Sequence, residues 1–271
     1  MMEQIDRMKK NLREDSLPHF FCPGCGAGQV MNYFLRAADE LDLDFDNLVG
    51  IGGVGCTARI PVYLKCDALH GIHGRVFPWA TGIKLKKPEL NVVVFAGDGG
   101  IGAIGGNHFI QAARRNLDIT TIIVNNLNFA MTGGQVSPTT PAGMNTTTTP
   151  FGNKEEKFDL KELHEAAGGT FYSRWNTNRS TQAIKAIKDA LEHDGFSVVE
   201  IIAQCPTHFG RYALGTGKPV NGINWIEEKS VTISEAEDMT EEELRDRFII
   251  GNFYKKDKPV FEGSTVYEEE E

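Results

Sequence analysis

Two apolar runs, residues 91–96 (Asn-Val-Val-Val-Phe-Ala) and 119–124 (Ile-Thr-Thr-Ile-Ile-Val), constrain the fold of this chain more than anything else in it. Both are rich in β-branched residues with little polar alternation, as expected of strands buried on both faces of a parallel sheet. Such strands need helices above and below them. Apolar spacing of three and four, through Val30, Met31, Phe34, Leu35, Ala38 and Leu41, predicts an amphipathic helix over 28–41. The stretch 48–52 reads as a short buried strand, 108–115 as a crossover helix, 160–167 and 180–192 as further helices, and 196–202 as another strand. The alternation predicts an α/β protein, a parallel sheet flanked by helices on both faces, with its ligand crevice at the carboxyl ends of the strands.

At 271 residues and 41% hydrophobic the chain is long enough to bury a core as one large domain or two small ones. The main body is placed at residues 1–225. Beyond Trp225 the composition turns to charge, so 226–271 reads as a C-terminal extension packed on a neighbour or partner. It has one helix, 240–248, capped by Thr240 and Glu243, and an acidic, solvated tail at 267–271. The Thr-, Pro- and Gly-rich stretch 138–153 reads as a long functional loop. A formal net charge of −9 disfavours nucleic acid as a partner, because phosphate contacts need cations. The first fifteen residues lack an apolar signal region and no run of eighteen apolar residues occurs, so neither secretion nor membrane spanning is expected and a cytoplasmic location is.

The first buried run ends in Gly97-Asp98-Gly99 and the second in Asn125-Asn126. Glycine lets backbone approach a phosphate closely, and a carboxylate in such a turn is a hard oxygen ligand. Magnesium is commonly held by one or two protein oxygens plus substrate phosphates. Asp98 and Asn126 stand 28 residues apart, about one helical crossover between parallel strands, so the two donors are expected to meet. Tight turns at strand ends are the plain alternative.

Cysteine supplies a second signal. Cys22 and Cys25 form a Cys-Pro-Gly-Cys pair, and Cys56 and Cys205 each lie beside Gly or Pro after an apolar run. Thiolates suit both zinc and iron-sulfur clusters, and one CxxC joined by two remote cysteines favours a cluster over paired zinc knuckles. Cys66 lacks such a turn and reads as packing.

With Gly97-Asp98-Gly99, Ile104-Gly105-Gly106-Asn107-His108, Ala113-Arg114-Arg115-Asn116, Asn125-Asn126 and the stretch from Met131-Thr132-Gly133-Gly134-Gln135 to Thr139, the chain resembles the beta subunit of 2-oxoacid:ferredoxin oxidoreductases. The resemblance runs from about Cys22 to Trp225 and implies the thiamine-diphosphate-binding fold. It implies that Asp98, the Asn126 side chain and the Asn128 backbone carbonyl ligate magnesium. Val54, Gly55, Cys56, Thr57, His73, Gly99, Gly100, Ala130 and Met131 would touch thiamine diphosphate, and Cys22, Cys25, Cys56 and Cys205 would hold one 4Fe-4S cluster. The implied reaction is oxidative decarboxylation of a 2-oxo acid to an acyl-CoA, with electrons passed through the cluster to ferredoxin.

The glutamate that activates the cofactor is then expected on a partner alpha subunit. The segments around Met131 and Cys205 look most similar to the 2-oxoglutarate enzymes, and the pyruvate and branched-chain enzymes share much of the pattern. A non-redox thiamine-diphosphate carboligase, which needs no thiolates, and a zinc-binding scaffold are the competing classes. Arg211 either grips a distal substrate carboxylate or, as the plainer reading, is a surface arginine paired with an acid. The chain departs from many members of the family in having Gly100 where they have a second acid, and Phe129-Ala130 where they have Tyr-Gly.

Overall fold

The structure is a computed structural model and describes residues 2–263. Eight strands are present among them: β1 Leu48–Gly52, β2 Asp67–His70, β3 Asn91–Gly97, β4 Ile119–Asn125, β5 Phe171–Asn176, β6 Phe196–Ile202, β7 Ser230–Thr232 and β8 Phe248–Lys255. They form one sheet in the order β2-β1-β3-β4-β6-β5-β8-β7. Every neighbouring pair is parallel except β5 and β8, which run antiparallel.

The unbroken apolar runs are explained by what lies above and below them. Along β3, Val93 and Phe95 face one hydrophobic cluster while Val92, Val94 and Ala96 face another, the period of two that a strand imposes. The first cluster is closed by helices α1 (Met2–Lys10), α2 (Gly26–Glu40) and α7 (Ser180–Leu191), through Met8, Val30, Phe34, Ala183 and Ile187. The second is closed by α4 (Val76–Lys86), α5 (Gly106–Arg115) and α6 (Leu160–Ala166), through Phe77, Ala80, Phe109, Ala112 and Leu160. Each fully buried Phe or Leu here contributes roughly 1.5–3 kcal/mol, which holds the strand ends in a fixed register.

The remaining helices are short or peripheral: α3 Ile60–Tyr63, α8 Phe209–Ala213, α9 Pro219–Lys229, α10 Ile233–Ala236 and α11 Glu241–Leu244. Two expectations change. The helix expected over 240–248 stops at Leu244, although its capping box of Thr240 and Glu243 is present. The chain then extends, with Phe248 and Ile250 buried on one side, and becomes β8 on the edge of β5. The segment beyond Trp225 therefore adds two strands, β7 and β8, to the sheet besides the short helices α10 and α11. The acidic stretch 267–271 lies outside the described residues.

From β1 the chain moves outward to β2 and then returns to β3 on the other flank of β1. This reversal opens a crevice beyond the carboxyl ends of β1 and β3, where ligands sit in open α/β sheets.

Candidate cofactor and thiolate sites

Asp98 follows β3 and is 1% exposed. Its Oδ2 accepts hydrogen bonds from Ser137 Oγ and Thr139 Oγ1, each at 2.6 Å, and its Oδ1 accepts the backbone N–H of Asn126 at 3.3 Å. Burial pushes the carboxyl up to about 6, against those donors, which pull it down. One oxygen is thus saturated by hydroxyls and the other keeps acceptor capacity.

The expected partner at the next strand end is in place. Asn126 and Asn128 are buried, and the side-chain Oδ1 of each has no hydrogen-bond partner. Two bare amide oxygens beside a buried carboxylate carry a desolvation cost that a bound cation would remove. The donor set is all oxygen, which matches magnesium. Asn128 turns its Nδ2 onto the Asn126 carbonyl at 2.8 Å, an arrangement that leaves Oδ1 free.

These groups line a cavity of about 260 Å³ together with Val54, Gly55, Cys56, Thr57, His73, Gly99, Gly100, Phe129, Ala130 and Met131. Every residue assigned to cofactor contact from the sequence lies on its wall. Val54 to Thr57 reach it because β1 ends at Gly52 beneath them. His73 meets Phe129 edge to face with ring centroids 6.0 Å apart, and its Nδ1 is buried without a partner. Phe129, where many family members have Tyr, packs so tightly on Gly99 that a Cβ there would stand 2.3 Å from the ring. The glycine after Asp98 is therefore required by the approach of a ring as well as by any phosphate. A π-helical turn, Gly100–Ile104, then carries the chain into α5.

Four cysteines line a second cavity of about 190 Å³: Cys22, Cys25, Cys56 and Cys205, with Phe20, Phe21 and His208. Local hydrogen bonds bring distant positions together. Cys25 N–H donates to Cys22 O at 2.9 Å to close the Cys-Pro-Gly-Cys turn, Gly26 N–H donates to Gln204 O at 3.0 Å, and Gln204 Nε2 donates to Gly24 O at 2.8 Å. The turn is thereby fastened next to Cys205. Burial pushes Cys25 up to about 12 and Cys56 up to about 11, with the neighbouring cysteines adding to both. Isolated thiolates are unfavourable there, and a bound cationic group is the remedy.

Among the described residues, no three His, Cys, Asp or Glu side chains converge closely enough to grip one ion. A single tetrahedral zinc, with Zn–S of about 2.3 Å, would need its sulfurs within about 4 Å of one another. The four thiols line one cavity without converging on a single-ion site among the described residues. Cys66 lies apart, buried among apolar side chains, as a packing residue does. Arg211 is exposed and has no ion pair among the described residues, so its expected acid partner is not found.

Sequence reasoning gave no role to Ser137 or Thr139, which hold Asp98, nor to Glu200, which accepts from Asn125 Nδ2 at 2.7 Å. A signal for Glu200 existed: it is the lone acid inside the apolar run 196–202.

Comparison with known proteins agrees with this geometry. Residues 53–201 match the family described as thiamine pyrophosphate enzyme, C-terminal TPP binding domain. The chain is 47% identical to 2-oxoglutarate synthase subunit KorB of Methanocaldococcus jannaschii over 252 residues, 93% of each chain. It is 47% identical to the subunit of the same description from Methanothermobacter marburgensis over 250 residues, 92% of this chain and 87% of that one. A solved structure of 2-oxoglutarate:ferredoxin oxidoreductase from Magnetococcus marinus, with 2-oxoglutarate, coenzyme A and succinyl-CoA bound, superposes with a TM-score of 0.84 at 29% identity, covering 97% of this chain and 93% of that one.

Proposed function

We infer that this chain, which belongs to the thiamine pyrophosphate enzymes and within them to the KorB subunits of 2-oxoglutarate synthases, is the cofactor-bearing beta subunit of a 2-oxoacid:ferredoxin oxidoreductase acting on 2-oxoglutarate. One observation carries the reading: the cavity holding Asp98, Asn126 and Asn128 and the cavity holding the four cysteines share Cys56, Asn126, Ala130 and Met131 as a common wall. Electron transfer requires that adjacency, and a carboligase or a zinc scaffold has no use for it.

Thiamine diphosphate, when bound, supplies the carbanion that attacks a 2-oxo acid and the electron sink for loss of carbon dioxide. The chain's own residues do the rest. Asp98 Oδ1, the Asn126 side-chain oxygen and the Asn128 backbone carbonyl would hold magnesium, which would supply the positive charge that anchors a diphosphate, while Ser137 and Thr139 fix the other oxygen of the Asp98 carboxylate. Phe129, Met131 and Val54 exclude water from the reacting end, and His73 lines the same wall with its Nδ1 buried and unpartnered. Cys22, Cys25, Cys56 and Cys205 would hold a 4Fe-4S cluster, which would supply a one-electron relay toward ferredoxin, with coenzyme A as the acyl acceptor.

Among the described residues, Asp98 is the only carboxylate lining the cofactor cavity. Because Asp98 is committed to the metal, the acid that activates the cofactor comes from a partner alpha subunit across the open side. The test is anaerobic purification with that partner, followed by iron and sulfide analysis, EPR before and after dithionite, and viologen reduction driven by 2-oxoglutarate, pyruvate or branched-chain 2-oxo acids. A reducible cluster and a preference for 2-oxoglutarate are expected. Zinc in place of iron, or no viologen reduction with any 2-oxo acid, overturns the reading.

A further inference from the structure

Behind the cofactor cavity the end of β4 is tied to a buried polar network running across one face of the sheet, over β4, β6 and β5. Glu200, on β6, is 1% exposed. Its Oε2 accepts from Arg174 Nε at 2.5 Å and Tyr172 OH at 2.8 Å, and Arg174 in turn donates from Nη2 to Asp159 Oδ1 at 2.6 Å. Its Oε1 faces Asn125 Nδ2 at 2.7 Å. A carboxylate accepts and does not donate, so Glu200 decides which end of the Asn125 amide points toward it.

That choice reaches the metal-binding turn. With its NH2 held by Glu200, Asn125 must aim Oδ1 the other way, where it accepts the Leu127 N–H at 3.2 Å and stands 3.0 Å from Thr139 Oγ1. Thr139 is the residue whose hydroxyl holds Asp98 Oδ2. Leu127 sits in the left-handed region, φ 63°, a conformation that a leucine adopts only when its surroundings impose it. It lies between Asn126 and Asn128, two residues that line the cavity and whose Oδ1 atoms are buried without a hydrogen-bond partner. The Asn125 Oδ1 contact to Leu127 N–H closes an Asx turn over this strained residue. Were the amide reversed, an NH2 would face the Leu127 N–H and the turn would lose its closure.

The geometry points to Glu200 as a positioning residue for the magnesium diphosphate site, acting through the amide of Asn125 on the left-handed Leu127 turn and on Thr139. It touches neither metal nor cofactor. Arg174, Tyr172 and Asp159 lock its carboxylate, and its orientation sets the two oxygens that Asn126 and Asn128 present. This inference rests on the cofactor assignment above.

The test is a donor and acceptor swap, read as the Kd of thiamine diphosphate with magnesium, by calorimetry on the full chain in the assembly with which it purifies. Glu200→Gln allows an NH2 to face Asn125, and Asn125→Asp sets carboxylate against carboxylate; each is expected to weaken binding at least tenfold. The double variant restores one donor and one acceptor with the original formal charge, because the Gln amide donates to the Asp carboxylate. It is expected to return within about threefold of the native Kd.

Ser197→Ala, on the same strand as Glu200, removes the Ser197 Oγ hydrogen bond to Ala190 O of α7 and is the control. It lowers the melting temperature without moving Kd. Single variants that bind as the native chain does overturn the inference, as does a folded double variant still weakened tenfold. Should either single variant fail to fold, the double variant alone decides by the same criterion. A native chain that does not bind magnesium and thiamine diphosphate defeats the cofactor assignment instead, so the two failures are distinguishable.

Discussion

Asp98 illustrates how a single residue can be costly to the empty protein and indispensable to the loaded one. Burial raises its carboxyl to about 6, so at pH 7.5 its charge is held against the preference of its surroundings. Asp98→Asn removes that charge, and the Ser137 and Thr139 hydroxyls can rotate to receive the amide. The ligand-free variant is expected to be no less stable than the native chain and up to roughly 3 kcal/mol more stable. The rise in melting temperature produced by magnesium and thiamine diphosphate should disappear, and melting curves with and without both ligands check the two halves together. His164 gives a separate pH prediction. It is fully buried among Phe109, Tyr172, Phe196 and Tyr254, and desolvation lowers its imidazole to about 3. A depressed histidine contributes stability that is complete above about 6.5 and is lost as pH falls toward 3. Unfolding at pH 5 should therefore be easier by about 2 kcal/mol from this group alone. In His164→Asn, which keeps a polar atom near Tyr254 OH, urea titrations at pH 7.5 and 5 should show that much less loss. The residues legible in the sequence were those whose chemistry is unusual at a turn, such as Asp98, Asn126 and the paired cysteines. Ser137, Thr139 and Asn125 act through hydrogen bonds to partners 39, 41 and 75 positions away, which no local pattern reveals.

At the scale of elements, β3, β4 and β6 could be read from the sequence because burial on both faces leaves an unbroken apolar run. Helix α2 could be read because one face alone is buried. β5 escaped because its Phe-Tyr-Ser-Arg-Trp-Asn sequence carries Arg174 and Ser173 in buried positions, where Arg174 is paired with Glu200 and Asp159 and Ser173 donates to Asn252 Oδ1 at 2.8 Å. β2 escaped because it is short and mostly exposed on the sheet edge. β8 was masked by the charged composition around it, yet it covers the edge of β5 and contributes Phe248 and Ile250 to buried positions. A chain cut after Leu244 would leave β5 as a bare edge beside Tyr172 and Trp175, a template for pairing with other chains. Expression of that truncation should give mostly insoluble protein, and any soluble fraction should be cleaved within β5 by brief protease treatment. Soluble, protease-resistant material would show that β8 is dispensable to the sheet.

For the whole molecule, the sequence assigned Cys56 to both sites and so implied that they adjoin, but it did not reveal the wall between them. Their common wall at Cys56, Asn126, Ala130 and Met131 arises because the loops after β1, β4 and β6 all open at the same end of the sheet, a consequence of strand order. The same strand order leaves the cofactor cavity open on one side. Ile72, next in the chain to the cavity-lining His73, is 67% exposed, and Trp79 and Ile104, exposed by 44 and 55%, group with it where Gly71 abuts the Trp79 ring and Gly74 abuts Ile104. A partner that brings a carboxylate to the cofactor must approach from this side, and large apolar side chains next to the opening provide the area that such an association buries. Ile72→Glu places a charge in the middle of that area without touching the core. The variant chain is expected to melt as the native one does and to retain all of its iron. Its affinity for the alpha subunit should fall at least tenfold, and 2-oxoglutarate-dependent viologen reduction should fall in step when the subunits are mixed near the native Kd. Excess alpha subunit should restore most of the rate, because the substitution weakens assembly and leaves the assembled site whole. A rate that stays low at saturating alpha subunit would place Ile72 in the chemistry, and an unchanged affinity would move the interface to another face.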